Sequence, residues 1–224
     1  MIKIENTEIF GWEAAIRGMR NPLESWNRSD SKFIYDCKEC NDHCVDCFKA
    51  KSGGVIIGNN DRSLMLKLAS GGSTHAKYRR MITLYIDITA PLYWWKEFDT
   101  YKVGTVANSC STMHKIHSRD LTLNDFSHEH LSERSLTALE DLIYTINIAR
   151  QKYAENADKD EWWQMIQLLP TSFNQKRTVM LNYEVLVGIY RDRKSHKLDE
   201  WRELCKWIER LPMSEIITGK DDAK

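Results

Sequence analysis

The chain has 224 residues, enough for one sizeable domain or two small ones, and 42% of them are hydrophobic, enough for a core. Lysine plus arginine and aspartate plus glutamate each number 32, so net charge is zero; this argues against a dedicated DNA- or RNA-binding protein, though not against a nucleotide in a local basic pocket. Four prolines and ten glycines exclude a loop-rich chain, no apolar run approaches the roughly 18 residues of a membrane span, and the opening MIKIENTEIF has no signal pattern. The reading is a soluble cytoplasmic protein whose six cysteines are thiols or ligands rather than disulfides.

Residues 2–9 alternate loosely and predict a first strand. A short helix follows over 12–19, because Trp12, Ala15, Ile16 and Met19 fall at i, i+3, i+4 and i+7. Residues 25–60 are the least regular and form a Cys-rich insertion. Its centre is Cys37, Cys40, Cys44 and Cys47, a C-x2-C-x3-C-x2-C run with His43 beside it. Two such hooks suit tetrahedral zinc in a closed, structural site. The gap between them is far shorter than in zinc ribbons, so free thiols on an acidic surface insertion are the alternative, and an iron–sulfur cluster a third one.

Asp61 is expected to cap a helix carrying Leu64, Leu66 and Leu68, which Gly71-Gly72-Ser73 ends. His75 then opens a short helical turn. Residues 81–89, MITLYIDIT, are rich in β-branched and aromatic side chains and predict a buried strand. Pro91 opens a helix over 91–99 with Tyr93, Trp94, Trp95 and Phe98. From Gly104 to Thr112 the chain is too polar for core, and its hydroxyls and amides suit a phosphate or a base edge.

Residues 113–130 hold four of the seven histidines, His114, His117, His128 and His130, and read as a surface loop rather than a metal site. Residues 132–154 predict a long helix with one stripe of Leu136, Leu139, Leu142, Ile143 and Ile146. Another helix starts at Asp158, runs through Trp162, Trp163 and Ile166, and stops at Pro170. Residues 179–190 are apolar nearly all round and predict a buried central helix. A last amphipathic helix carries Leu198, Trp201, Leu204, Cys205, Ile208 and Leu211. No linker or repeat intervenes, so a single domain over 1–217 is expected, with 218–224 a flexible charged tail.

The order of strand, aromatic helix and polar loop resembles the flavin-dependent thymidylate synthases. That family has a histidine, a strand often ending in Ala-Pro, and a helix with Gln-x-x-Arg-His-Arg, continuing through Ser to Asn-Glu-x-Ser. Here His75 stands fifteen residues before Ala90-Pro91. Glu97 falls at the Gln, Thr100-Tyr101-Lys102 at Arg-His-Arg, and Thr105 at the Ser. Asn108-Ser109-Cys110-Ser111 falls at Asn-Glu-x-Ser if one residue is inserted. A second match is Leu169-Pro170, then Asn182 twelve residues on and Arg193 eleven further. The frame is kept while the letters change; Glu184 and Ile166 occupy two further arginine positions. The resemblance spans roughly residues 61–211 with the first strand and helix.

The resemblance implies an α+β fold with a small central mixed sheet and long helices. It implies C5 methylation, or a related one-carbon transfer, on a pyrimidine nucleotide such as dUMP. FAD is the implied cofactor, methylenetetrahydrofolate the carbon donor and NADPH the reductant. It also implies a homotetramer whose active sites draw on several subunits. Arg193 would be the catalytic residue that polarises the pyrimidine. His75, Tyr101, Lys102 and Asn182 would meet the cofactor, His75 having a capping or core role as its alternative. Glu97, Asn108, Ser109 and Ser111, with Arg193, would meet the substrate. An ionised Glu97 only accepts hydrogen bonds, so it suits a sugar hydroxyl or base N–H and not a phosphate. The missing arginines support a second reading: a non-catalytic nucleotide-binding or regulatory protein on the same fold.

Overall fold

The computed structural model describes residues 1–33 and 54–219. Cys37, Cys40, Cys44 and Cys47, and the tail from residue 220, lie outside the described residues. The strands are β1 (Lys3–Phe10), β2 (Lys32–Phe33), β3 (Val55–Ile56), β4 (Thr83–Pro91), β5 (Val106–Ser109) and β6 (Asn174–Asn182). The helices are α1 (Trp12–Arg20), α2 (Asn59–Ser70), α3 (Leu92–Phe98), α4 (Thr112–Lys115), α5 (Glu133–Asn156), α6 (Lys159–Leu168), α7 (Tyr183–Arg193), α8 (Asp199–Ile208) and α9 (Glu215–Thr218). The expected α+β class holds: one sheet runs in the order β1-β4-β6-β5, and β2 pairs antiparallel with β3.

The buried strand sits where expected, two residues late. Leu84, Ile86, Ile88 and Ala90 of β4 are buried while Tyr85 faces out, the period-two pattern of a pleated strand. Met81 instead ends a 3-10 turn, Lys77–Met81. Gly11 lies against that turn at φ +91°, where a Cβ would collide with the Met81 carbonyl oxygen.

Three expectations change. The helix expected over 179–190 starts at Tyr183, and the residues before it belong to β6. Val179 and Leu181 are buried, Met180 between them only in part, so this apolar run follows the strand period rather than a helical one. Asn182 ends the strand and caps α7, its Oδ1 accepting from the Val185 N–H at 3.1 Å. The polar run expected as loop contains β5, an edge strand beside β6 with all four residues exposed, where polar side chains keep their water. Asp61 is not the cap of α2. Asp30 fills that role, its carboxylate accepting from the Asn60 and Asp61 N–H groups at 3.0 and 3.1 Å. In addition, Thr218 belongs to α9 rather than to the tail.

The residues group into two compact units. One comprises Met1–Lys3, Ile88–Thr100 and Asn108–Thr178. Its core lies on the α5 and α6 pair, where Leu139, Ile143, Ile146, Ala149 and Met165 pack with Ile116, Leu121 and Phe126. The histidine-rich segment is anchored on this core by Ile116, Leu121 and Phe126. Asn147 pins it, donating to the Leu121 carbonyl at 2.9 Å and accepting from its N–H at 2.8 Å. Trp94 stacks on Phe98 at 5.1 Å, and Trp95 meets both edge-on.

The other unit comprises Ile4–Asp87, Tyr101–Ala107 and Val179–Lys224. Trp12 of α1 meets Tyr183 edge-on at 5.4 Å, and the Tyr183 hydroxyl donates to the Pro212 carbonyl at 2.7 Å. Burial pushes that phenol well above its ordinary pKa. Trp201, Leu204, Cys205 and Ile208 of α8 complete the apolar face predicted from their spacing. Burial, aided by the Glu209 charge, lifts the Cys205 thiol to about 11, so it is an inert core residue.

Candidate functional site

The anticipated site residues divide cleanly. Glu97, Asn108, Ser109 and Ser111 belong to the first unit, and His75, Tyr101, Lys102, Asn182 and Arg193 to the second.

In the second unit, α7 brings its last residue, Arg193, to the loop after α3. Arg193 Nε donates to the Tyr101 hydroxyl at 3.0 Å. Its guanidinium carbon lies 4.6 Å from the Trp201 ring centroid and 5.7 Å from that of Tyr101. The two rings meet edge-on at 5.9 Å, and His196 packs on Trp201. A cation between two aromatic faces loses little by desolvation and keeps its planar donors in a fixed orientation. At the other end of α7, Gly104 approaches Asn182 at φ +79°. A Cβ there would come within 3.1 Å of Asn182 Nδ2 and 3.0 Å of Val185 Cγ2, so glycine is what lets this loop close on the helix start. With Oδ1 spent on the cap, Asn182 offers donors. Lys102 is exposed beside Tyr101. His75 is exposed in the turn after α2, with its ring against Gly71.

In the first unit, a cavity of about 350 Å³ opens beside β6. Its lining includes Ser111, Thr112, Lys115, Arg119, Gln175 and Lys176. Three cations meet a single carboxylate, Asp125, which Arg119 grips with both terminal nitrogens. Burial alone would raise the Asp125 carboxyl, but its bonds from Arg119 and Thr122 outweigh that and hold it below the usual range. The cavity therefore keeps a surplus of positive charge and several hydroxyls, a donor set suited to an anion. Ser111 Oγ accepts from the His114 N–H at 3.2 Å, which leaves its proton to donate. Asn108 and Ser109 are exposed on β5, and Glu97 is half-buried on α3.

Of the residues lining this cavity, sequence reasoning singled out Ser111 but not Lys115, Arg119 and Lys176, whose isolated positions carry no motif. It read Trp201 only as core, whereas the ring is also the seat of Arg193. Of the two missing arginines on the later helices, one is accounted for: Glu184 holds the buried Arg79 at 2.7 Å. Among the described residues no cluster of three metal-binding side chains occurs, and no helix is long and apolar enough to cross a membrane.

The fold is like that of the flavin-dependent thymidylate synthases. Thymidylate synthase X from Helicobacter pylori, solved with FAD and dUMP, matches over 97% of this chain and 97% of its own, with TM-score 0.63 and 14% identity. A second structure of that enzyme, complexed with FAD and dUMP, covers 100% and 99% at the same score and identity. The UMP/dUMP methylase PolB from Streptomyces cacaoi, bound with 5-Br dUMP, covers 98% and 94%, with TM-score 0.58 and 11% identity. No family model and no curated protein matches the sequence. At these identities the likeness establishes the fold.

Proposed function

We propose that this chain is a cytoplasmic flavoenzyme that transfers one carbon to C5 of a uracil nucleotide such as dUMP. The observation that carries the reading is the pair of residues at the two ends of α7. Asn182 caps the helix against Gly104, and Arg193 is clamped by Tyr101 and Trp201 at its end, on a fold like those solved with FAD and dUMP.

The donor set fits a flavin. Asn182 Nδ2, the Arg193 guanidinium and Lys102 are donors, while a flavin dinucleotide presents ring carbonyls and a diphosphate, both acceptors. Asn182, Tyr101, Lys102 and His75 would hold it. When bound and reduced, the flavin supplies the hydride that completes the methyl group, with methylenetetrahydrofolate as donor of the carbon and NADPH as source of the electrons.

The chain's own residues do the rest. Lys115 and Lys176, with Ser111 and Thr112, offer point charges and hydroxyl donors to a nucleotide phosphate. Arg193 stabilises negative charge on a uracil carbonyl oxygen, which raises the nucleophilicity of C5. Tyr101 fixes the angle of that guanidinium and offers a ring face to the base. Glu97 accepts from a sugar hydroxyl or base N–H. A homotetramer, with each active site drawing on several subunits, is part of this reading.

One observation favours a second reading, a non-catalytic nucleotide-binding or regulatory protein. Glu184 and Ile166 stand where the family carries arginines, and Glu184 is committed to Arg79. The absorption spectrum of the purified protein separates the two. The enzyme reading expects a flavin band near about 450 nm and dUMP-dependent product. Protein that binds dUMP but neither retains nor takes up flavin leaves the binding role; protein that binds neither ends both readings.

A further inference from the structure

The cavity lip is held by a chain of side chains that the proposed chemistry does not use. Trp95, Asp99, Gln175 and Arg177 all lie in the first unit. Gln175 and Arg177 share a face of β6, two residues apart. The Arg177 guanidinium carbon lies 4.2 Å from the Trp95 ring centroid, and its Nη1 donates to Asp99 Oδ1 at 2.7 Å. Its Nε donates to Gln175 Oε1 at 3.0 Å. Gln175 Nε2 in turn donates to the Cys110 carbonyl at 2.9 Å and to Thr112 Oγ1 at 3.4 Å. The Cys110 N–H donates to the Lys176 carbonyl at 2.9 Å, and the Trp95 indole N–H to the Gln175 carbonyl at 2.8 Å.

The chemistry of these groups fixes their direction. An arginine only donates, so the amide oxygen of Gln175 must face Arg177 and its NH2 must face the lip. A flipped amide would set N–H against N–H. Thr112 therefore accepts from Gln175, and its one proton is left for another acceptor. Ser111 is biased the same way, by the His114 N–H. Both hydroxyls line the cavity, and both have an acceptor side already occupied.

The geometry points to Gln175 as a positioning residue. Locked by Arg177 over Trp95, it holds the lip from Cys110 to Thr112 and occupies an acceptor position of the Thr112 hydroxyl, which leaves the proton to donate to a ligand. The cavity then selects a ligand group rich in acceptors and poor in donors, a fully ionised phosphate monoester above a neutral hydroxylated group. This rests on the nucleotide reading above for the identity of the phosphate carrier, but not for the donor bias itself.

The test is calorimetric titration of dUMP, and separately of inorganic phosphate, into full-length protein. Wild type, Gln175→Met, Thr112→Val and the double variant are compared, with thermal unfolding as the folding control. Gln175→Met keeps the shape and removes both hydrogen-bonding functions. Each single variant is expected to weaken dUMP by roughly tenfold, the worth of a charge-assisted hydrogen bond. Because Gln175 acts through Thr112, the double variant should lie within about threefold of Thr112→Val alone. A merely structural Gln175 would give losses that multiply, and that result overturns the inference. So does Gln175→Met binding dUMP within about threefold of wild type; the nucleotide reading then still stands. Wild type that binds phosphate but not dUMP, with the same coupling between the two positions, sinks the nucleotide reading and keeps the positioning role. Wild type that binds neither ligand ends both.

Discussion

Asp61→Ala should be among the most damaging single changes outside any binding site. The Asp61 side chain is fully buried, and Arg20 beside it is 3% exposed. The carboxylate accepts from Arg20 Nε at 2.6 Å, Ser29 Oγ at 2.9 Å, Asp30 N at 3.1 Å, Ser31 N at 3.0 Å and Ser31 Oγ at 2.7 Å. These bonds fasten the segment entering β2 to the first turn of α2. Alanine would leave the guanidinium buried with, among the described residues, the Ser25 and Arg28 carbonyls and the Ser25 hydroxyl as partners. Removing one partner of a buried ion pair costs about 3 to 5 kcal/mol, because the other charge stays uncompensated. For a chain of this size that is roughly a 10 °C drop in melting temperature. Urea unfolding followed by tryptophan fluorescence measures it. A loss under about 1 kcal/mol would refute the reasoning. The double change Arg20→Met with Asp61→Leu should recover only the part due to the uncompensated guanidinium, because Ser29, Ser31 and the Asp30 N–H still lose their acceptor.

The pH dependence has a definite sign. Burial alone would raise the Asp61 carboxyl, but the bonds from Ser31, Arg20 and Ser29 outweigh it and hold it below the ordinary value. Its folded pKa lies below the unfolded one, so its contribution is complete above about pH 4 and is lost as pH falls through the folded value. The gap between wild type and Asp61→Ala should therefore be constant from neutrality down to about pH 5 and close in more acid solution.

Arg193→Lys keeps the charge but loses the planar fork between Tyr101 and Trp201, so dUMP affinity should fall more than about tenfold while circular dichroism is unchanged; equal binding would move the site elsewhere. If Cys37, Cys40, Cys44 and Cys47 form a site, elemental analysis should find one zinc per chain, and Cys44→Ser should lower both metal content and melting temperature. Metal-free protein of full stability would instead support free thiols. Light scattering should return the mass of four 26.3 kDa chains, and a monomer would remove the multi-subunit active site.

Local patterns determined much of this protein. The burial alternation of β4, the helix starts at Ser132 and Asp158 and the stripe on α5 were legible because each depends on neighbours within a few residues. The spacing from His75 through Ala90-Pro91 to Asn182 and Arg193 pointed to the fold that the solved structures share. What the tertiary structure decided is what depends on partners far along the chain. Residues 179–181 are apolar enough for either period, and pairing within the sheet made them strand. Val106–Ser109 has no strand signal of its own and pairs because β6 offers it an edge. Asp61 looked like a cap in sequence, but Arg20, forty-one residues away, drew its carboxylate inward and left the cap to Asp30. Lys115 and Lys176 became a cation pair on one cavity only when the fold brought α4 against β6. Charges and hydrogen bonds act through space, and their partners are set by the path of the backbone rather than by the order of the residues.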